Sequence, residues 1–269
     1  MNIQCPEPEK EPQLKYFLTY HEEDIQQFNH PDIIRLKLDQ TEYFEYESYR
    51  MLKPEDIPDV KYIGFISPKV LKKSKYKTVE SLFTVDTSKP FRNISISENC
   101  KPCEEFAAKN HGIDFLVLWT WLWIQLGIPL NIMNKYPMFY CNCWVADRDT
   151  FISYLEFAKK AIKMIDNAPE DIKEILKTDP KYKGALTGKG ILEKRFGKPY
   201  YPWQPFLMER LVCVYAYIKE ANIQLSLKDQ PCLLCQPHDL HEKNIFCSED
   251  LPTNHSCIPP EDTPIVLQL

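Results

Sequence analysis

The sequence predicts an open α/β sheet flanked by helices, and three observations carry that expectation. Short apolar runs that read as strands recur within the first 70 residues, with a breaker-free segment between two of them. Two of those runs are apolar with little alternation, as central strands buried on both faces are. The later part of the chain carries long stretches whose apolar residues fall at helical spacing. With 269 residues, 44% of them hydrophobic and 13% aromatic, the chain can bury a large core without a disulfide or metal staple.

Residues 1–13, rich in Pro, Glu and Lys, read as a flexible leader. Tyr16-Phe17-Leu18-Thr19-Tyr20 reads as a strand ended by His21-Glu22-Glu23-Asp24. Ile33-Ile34-Arg35-Leu36-Lys37-Leu38 alternates and reads as a second strand. Residues 41–52 have no breaker and carry aromatics on a helical face, which predicts a helix closed by Pro54 and Pro58. Lys61-Tyr62-Ile63-Gly64-Phe65-Ile66-Ser67 is a compact strand stopped by Pro68. The strands at 16–20 and 61–67 are expected at the centre of the sheet. Ligands of open α/β sheets sit beyond the carboxyl ends of the strands, which puts Thr19–His21 and Ser67–Lys69 on one rim.

Further on, Cys103–His111 reads as a helix leading into the apolar run FLVLWTWLWIQLGIPL at 115–130. That run is shorter than the roughly 20 apolar residues of a membrane span and is interrupted by Gln125, Gly127 and Pro129. It reads as a buried or half-buried helix at 115–126, with a contact to a membrane surface as the alternative. Met138–Val145 reads as a strand, and Asp149 or Asp147 as the cap of a helix over about 149–166. A short helix at 169–177, a loop rich in Lys, Gly and Tyr, and a strong helix at 206–218 follow. The main domain is expected over 14–228, with 229–269 a Cys- and Pro-rich tail.

The net charge of −5 is spread over interspersed positive and negative residues, and no long basic stripe marks a nucleic-acid partner. The basic cluster Lys69–Lys75 reads either as a solvated loop or helix start, or as a phosphate holder. Only 7 Gly stand against 22 Pro, and neither a G-x-G-x-x-G nor a Walker loop occurs. The N-terminus, Met1–Glu7, has no apolar signal region, so the ten cysteines are expected to be reduced and the setting cytoplasmic.

Four pieces, taken in order, carry a family resemblance. They are Tyr43-x-x-Tyr46-Glu47-Ser48-Tyr49; Tyr62-Ile63-Gly64-Phe65-Ile66-Ser67-Pro68-Lys69; Met138-Phe139-Tyr140-Cys141-Asn142-Cys143-Trp144-Val145-Ala146-Asp147-Arg148-Asp149-x-Phe151; and Pro205-Phe206-Leu207-Met208-Glu209-Arg210-Leu211. Together, over about residues 14–222, they resemble glycosyltransferase-like proteins of capsular polysaccharide loci, related to domains of bacterial and large-DNA-virus glycan synthesis. That family runs a helix with an acidic residue and aromatics, a "Y-I-G-x-x-H-Y-R" strand, a "C-N-M-F-x-M-x-x-x-x-F" strand–helix entry and a "G-F-L-x-E-R-L" helix. The resemblance implies a glycosyltransferase-A-like mixed open sheet, a nucleotide-sugar donor and a glycan or other hydroxyl acceptor. It places the donor at Thr19, Tyr20, His21, Glu47, Arg50, Ser67 and Lys69. Ser67-Pro68-Lys69 departs from the family's His-Tyr-Arg, and Lys69 can neutralise a diphosphate as a point charge, the role a divalent cation fills in many such enzymes.

Other candidates keep two readings each. Glu209 is a general base towards the acceptor hydroxyl or half of a structural pair with Arg210. Asn142 and Trp144 line an acceptor pocket or belong to the core. Asp147-Arg148-Asp149 clamps Mn²⁺ or Mg²⁺ or is an acidic helix start. Asp86 stands alone. Cys232, Cys235, His238, His241 and Cys247, with Cys100-x-x-Cys103, read as structural zinc ligands or as unordered thiols and histidines, and the second pair at finger spacing is missing. The expected function is sugar transfer; the alternative is a non-catalytic glycan- or protein-binding module on a degenerate transferase fold, zinc-stapled or not.

Overall fold

A computed structural model of the chain describes residues 13–94, 103–133, 135–136 and 142–221. Among these residues five strands form one mixed sheet in the order β2-β1-β3-β5-β4. They are β1 (Leu14–Tyr20), β2 (Ile33–Lys37), β3 (Tyr62–Ile66), β4 (Phe91–Asn93) and β5 (Trp144–Asp147). β1 lies parallel to both β2 and β3, while β5 runs antiparallel to β3 and to β4. The expectation of an open α/β sheet with β1 and β3 inside it is met.

Side-chain alternation splits the core into two layers. Phe17 and Phe65 point to one face, where they pack with Trp144, Phe151 and Tyr154. Tyr16, Leu18 and Ile66 point to the other, with Phe28, Val70 and Leu82. Three short helices follow the first strands in sequence: α1 (Ser48–Met51), α2 (Val70–Lys73) and α3 (Val79–Leu82). The larger layer is built by α4 (Cys103–His111), α5 (Ile113–Leu126), α6 (Arg148–Asp166), α7 (Glu170–Leu176) and α9 (Gln204–Glu220), while α8 (Ile191–Phe196) buries Leu192 outside it. The Trp-rich α5 buries Phe115, Leu118, Trp119, Leu122, Trp123 and Leu126, as its apolar content predicts. No helix among the described residues is long and apolar enough to cross a membrane.

α6 carries its predicted stripe, with Phe151, Tyr154, Leu155, Phe157, Ala158, Ile162 and Ile165 all buried. Its cap is Asp147: one carboxylate oxygen accepts from the Thr150 backbone N–H and the other from the Thr150 hydroxyl, each at 2.9 Å. α9 is buried almost all round, which is the pattern of a central helix.

Two expected elements take a different form, and β4, α3 and α8 have no counterpart among the expected ones. Residues 41–52 form a 3₁₀ turn, Phe44–Glu47, followed by the single turn of α1, not one helix. Phe44 is left-handed (φ 50°), and the Thr41 hydroxyl binds both the Tyr43 N–H and the Glu47 carboxylate, a local bonding scheme that competes with helix. Burial of Tyr43, Tyr46 and Tyr49 then holds the turn in place. The strand expected at 138–145 is 144–147; residues 138–141 lie outside the described ones, as do the leader 1–12 and the tail from 222 onward with its candidate zinc ligands, and Cys100 likewise.

Gly64 marks where β3 and β5 approach most tightly. A Cβ there would press on the Trp144 carbonyl oxygen and lie 2.8 Å from both the Tyr16 ring and the Val145 side chain. Gly64→Ala is expected to destabilise the protein by about 2 kcal/mol through overpacking, read as a lower urea midpoint at unchanged slope. Asp147→Ala should cost about 1 kcal/mol by removing the α6 cap, with most of it restored in Asp147→Asn.

Candidate functional site

β2 lies on one side of β1 and β3 on the other, so the chain changes direction across the sheet at the β1–β3 pair. At such a switch point the loops leaving the two carboxyl ends diverge and leave a crevice. A pocket of about 1060 Å³ opens there, large enough for a ligand of nucleotide-sugar size. Thr19 and His21 reach it from the end of β1, and Ser67, Pro68 and Lys69 from the end of β3. The Thr19 hydroxyl lies 3.4 Å from the Ile66 carbonyl, joining the two strand ends. Opposite them, α9 presents Pro205 and Glu209, one turn apart, with Phe206 and Arg210 beside them.

The electrostatics centre on two carboxylates. Glu45, on the 3₁₀ turn, is pushed up to about 7, first by loss of water around its charge and next by repulsion from Glu209; Lys73 and Lys69 oppose the rise. A carboxyl group that changes charge near neutrality, in a pocket with a second carboxylate and two ammonium groups, is equipped for proton transfer. Arg210 is only 2% exposed, with its guanidinium 4.8 Å over the Phe115 ring. One of its nitrogens donates to the Phe206 carbonyl at 2.7 Å and lies 3.5 Å from Glu209, while its Nε makes no hydrogen bond within the described structure.

Two histidines line the same space. A backbone carbonyl can only accept, so the 3.2 Å contact to Leu38 O puts a proton on His21 Nδ1, while the buried Nε2 has no hydrogen-bond partner within the described structure. His111 is tied in the same way to Pro180 O at 2.9 Å. Burial, reinforced by the Arg210 charge, depresses His111 to about 4 against the opposing pull of the Pro180 bond, so it is neutral at physiological pH.

An aromatic belt closes the pocket. His21 meets Phe44 at 6.3 Å, Phe44 meets Tyr201 at 5.8 Å, and Tyr201 meets Tyr182 at 5.2 Å. Tyr182 then contacts Phe206 at 5.1 Å, and Phe206 contacts His111 at 4.4 Å. Only three non-glycine residues among the described ones have positive φ, and two of them, Phe44 and Lys181, line this pocket. Backbone strain of that kind gathers at binding sites.

The structure brings together Thr19, His21, Ser67, Lys69 and Glu209, and separates the other expected residues from them. Tyr20 does not line the pocket. Glu47 accepts from Thr41 and Arg50 pairs with Asp166 at 2.6 Å over the Tyr43 ring, so both serve the packing of the turn against α6. Asn142 and Trp144 are core residues: the Asn142 side-chain oxygen accepts from the Tyr49 hydroxyl at 2.6 Å and from the Trp144 indole at 2.8 Å. Asp147 pairs with Tyr62 at the start of β3, which puts it and the exposed Asp149 at the far end of the sheet from the pocket. With both Asp147 oxygens engaged by Thr150, the pair does not fit a cation clamp for this site, and no cluster of three His, Cys, Asp or Glu side chains occurs among the described residues. Asp86 binds Ser88 and Arg92 on the surface.

Glu45, His111, Lys181, Lys183 and Arg195 reach the pocket without having been singled out in the sequence. The Lys, Gly and Tyr content of the 177–200 loop was the one signal that pointed towards three of them. No protein-family model matches the chain, and neither curated proteins nor solved structures include a detectable relative.

The raised Glu45 has a sign that can be checked. The native state holds a proton on Glu45 between its ordinary 4.5 and about 7, where the unfolded chain has lost it. Stability is therefore expected to fall as pH rises through that window. Glu45→Gln should raise Tm by a few degrees at pH 8 and leave it nearly unchanged at pH 4.5, measured in parallel melts.

Proposed function

We propose that this chain is a glycosyltransferase that moves a sugar from a nucleotide-sugar donor to a hydroxyl acceptor, with the cytoplasm as its setting. The observation that carries the reading is a pair of glutamates, Glu45 and Glu209, facing Lys69 and Lys73 in a pocket at the switch point of a mixed open sheet. The resemblance of the four sequence pieces to capsular-type transferases supports it from a separate direction.

In this reading the donor diphosphate lies against Lys69 and Lys73, with the Thr19 and Ser67 hydroxyls beside it. The acceptor oxygen attacks the anomeric carbon and the bond from that carbon to the diphosphate oxygen breaks. The electron pair leaves with the diphosphate, whose growing charge the two ammonium groups offset. The hydroxyl proton passes to the Glu45–Glu209 pair. The reluctance of Glu45 to ionise below about 7 makes that carboxyl a matched base at neutral pH. The neutral His111 accepts from a sugar hydroxyl, and the unpartnered His21 Nε2 offers a second hydrogen bond to the sugar. Preorganisation of these groups on strand ends and on α9 supplies the positioning that such a displacement needs.

A binding module is the second reading, favoured by Ser67-Pro68-Lys69 standing where the family has His-Tyr-Arg. The two separate in one experiment. UDP-, GDP-, CMP- and dTDP-sugars are screened by thermal shift with and without Mn²⁺, and release of the nucleotide leaving group, a nucleoside diphosphate or, from a CMP-sugar, CMP, is followed for any hit. One donor class is expected to raise Tm, with the shift lost in Lys69→Ala. Turnover should rise with pH to a plateau above about 7, and Glu45→Gln should lower kcat by about 100-fold or more. A shift without nucleotide release supports the module; no shift from any donor at millimolar concentration refutes the transferase.

A further inference from the structure

We propose that the loop between α7 and α8 is the acceptor subsite, and that it selects a saccharide carrying a negative charge, either a carboxylate or a phosphate. This rests on the transferase reading, because it assigns the part of the same pocket that the donor leaves open.

The loop is held from several sides. Pro180 O is bound by His111, the Lys181 N–H donates to the Asp179 carboxylate at 2.7 Å, and the Leu186 N–H donates to the Tyr201 hydroxyl at 3.0 Å. At its start the Trp203 indole donates to Thr178 at 3.2 Å, and at its middle the Gly184 N–H donates to Thr187 at 3.1 Å. Between these ties the chain projects Lys181, Tyr182 and Lys183 in succession, and all three line the pocket. Lys181 keeps a left-handed backbone (φ 59°) that a lysine does not favour, and such strain persists where the surroundings enforce it.

The three side chains form a recognisable set. Tyr182 stands edge-on to both Phe206 and Tyr201 and is 44% exposed, so its ring is braced while much of it stays open. The Tyr182 and Tyr201 rings close so tightly on Gly184 that a Cβ there would lie 2.5 Å from one and 2.7 Å from the other's hydroxyl. A sugar presents an apolar C–H face that packs on such a ring, with its hydroxyls at the edge. Lys181 and Lys183 flank the ring, and within the described structure neither has an ion-pair partner. Of the other cations of the pocket, Lys69 and Lys73 are assigned to the donor diphosphate, Arg195 lies 3.6 Å from Glu22, and Arg210 lies 3.5 Å from Glu209. A diphosphate seated at Lys69 and Lys73 leaves the two loop lysines without an anion. A neutral acceptor would leave them so, whereas a uronate or a phosphosugar stacked on Tyr182 places its charge between them.

The test uses direct binding to the full chain, with digalacturonic acid, glucose 6-phosphate and neutral cellobiose as probes, followed by isothermal titration. Nucleotide-sugar thermal shifts are run on the same variants. At least one charged probe is expected to bind about tenfold tighter than cellobiose, and added salt should erode the difference. The double substitution Lys181→Ser with Lys183→Ser should weaken that probe about tenfold, and Tyr182→Ala should weaken all three, while Lys69→Ala changes none. The donor-induced Tm shift should survive in the loop variants. Whichever of the two charged probes binds more tightly names the acidic group. Equal affinity for charged and neutral probes, or no binding of any, overturns the proposal. So does loss of the donor shift in the lysine double variant, because the loop would then serve the donor. Loop-dependent binding of the charged probe without any donor shift in the parent protein leaves the saccharide site standing and removes the transferase.

Discussion

The parallel pairing of β1 with β3, from Leu14 against Tyr62 to Leu18 against Ile66, is the constraint on which the rest of the structure depends. It brings together two strands separated by more than forty residues and fixes their ends side by side. Because β2 departs on the opposite side of β1, the loops that follow β1 and β3 part and leave a crevice. Thr19 and Lys69 are neighbours in that crevice only because the register is what it is. A slip of one residue would turn Phe17 and Phe65 out of the aromatic layer and move the hydroxyls from the rim into the core.

The aromatic layer beneath the sheet makes this register stiff. Phe65, Trp144 and Phe151 contact one another and Tyr154 contacts Trp144, at centroid spacings of 5.1 to 5.4 Å, and the Asn142 amide holds Tyr49 and Trp144 together. Asn142 is left-handed (φ 44°), a conformation that asparagine tolerates better than most residues. Its role is to satisfy two buried donors where the chain enters β5, a structural task that lies under the pocket and not within it. The same layer carries α9, so the position of Glu209 is set by packing on the face of the helix away from the pocket.

The pocket itself is an arrangement of charges in limited water. Glu45 and Glu209 repel one another, lysines at the end of β3 and on α2 temper that repulsion, and the buried Arg210 sits behind. His111 is kept neutral chiefly by its burial, with the Arg210 charge adding to the effect. The site thus has groups that accept protons and groups that stabilise anions within one volume, and the aromatic belt limits how solvent reaches them.

The sequence by itself determined β1, β2 and β3, the central place of β1 and β3, and the rim that Thr19, His21 and Ser67–Lys69 share, but neither β4 nor the bounds of β5. Those readings succeed because apolar periodicity and proline breakers act locally, and because strand ends are where an open sheet binds. It also carried both outcomes for Asp147 and for Glu209, and could not choose between them. Only the tertiary structure decided that Asp147 is a helix cap at the far end of the sheet, that Asn142 and Trp144 are core, and that Glu47 and Arg50 face α6 while their neighbour Glu45 faces the pocket. A 3₁₀ turn in place of a helix over 44–47 changes which side chains share a face, and that turn is set by the burial of Tyr43, Tyr46 and Tyr49 against residues remote in the chain, among them Asn142 and Asp166. Lys181 and Lys183 became visible for the same reason: a polar loop has no periodicity to reveal its direction, and the His111–Pro180 bond that aims it joins residues 69 apart.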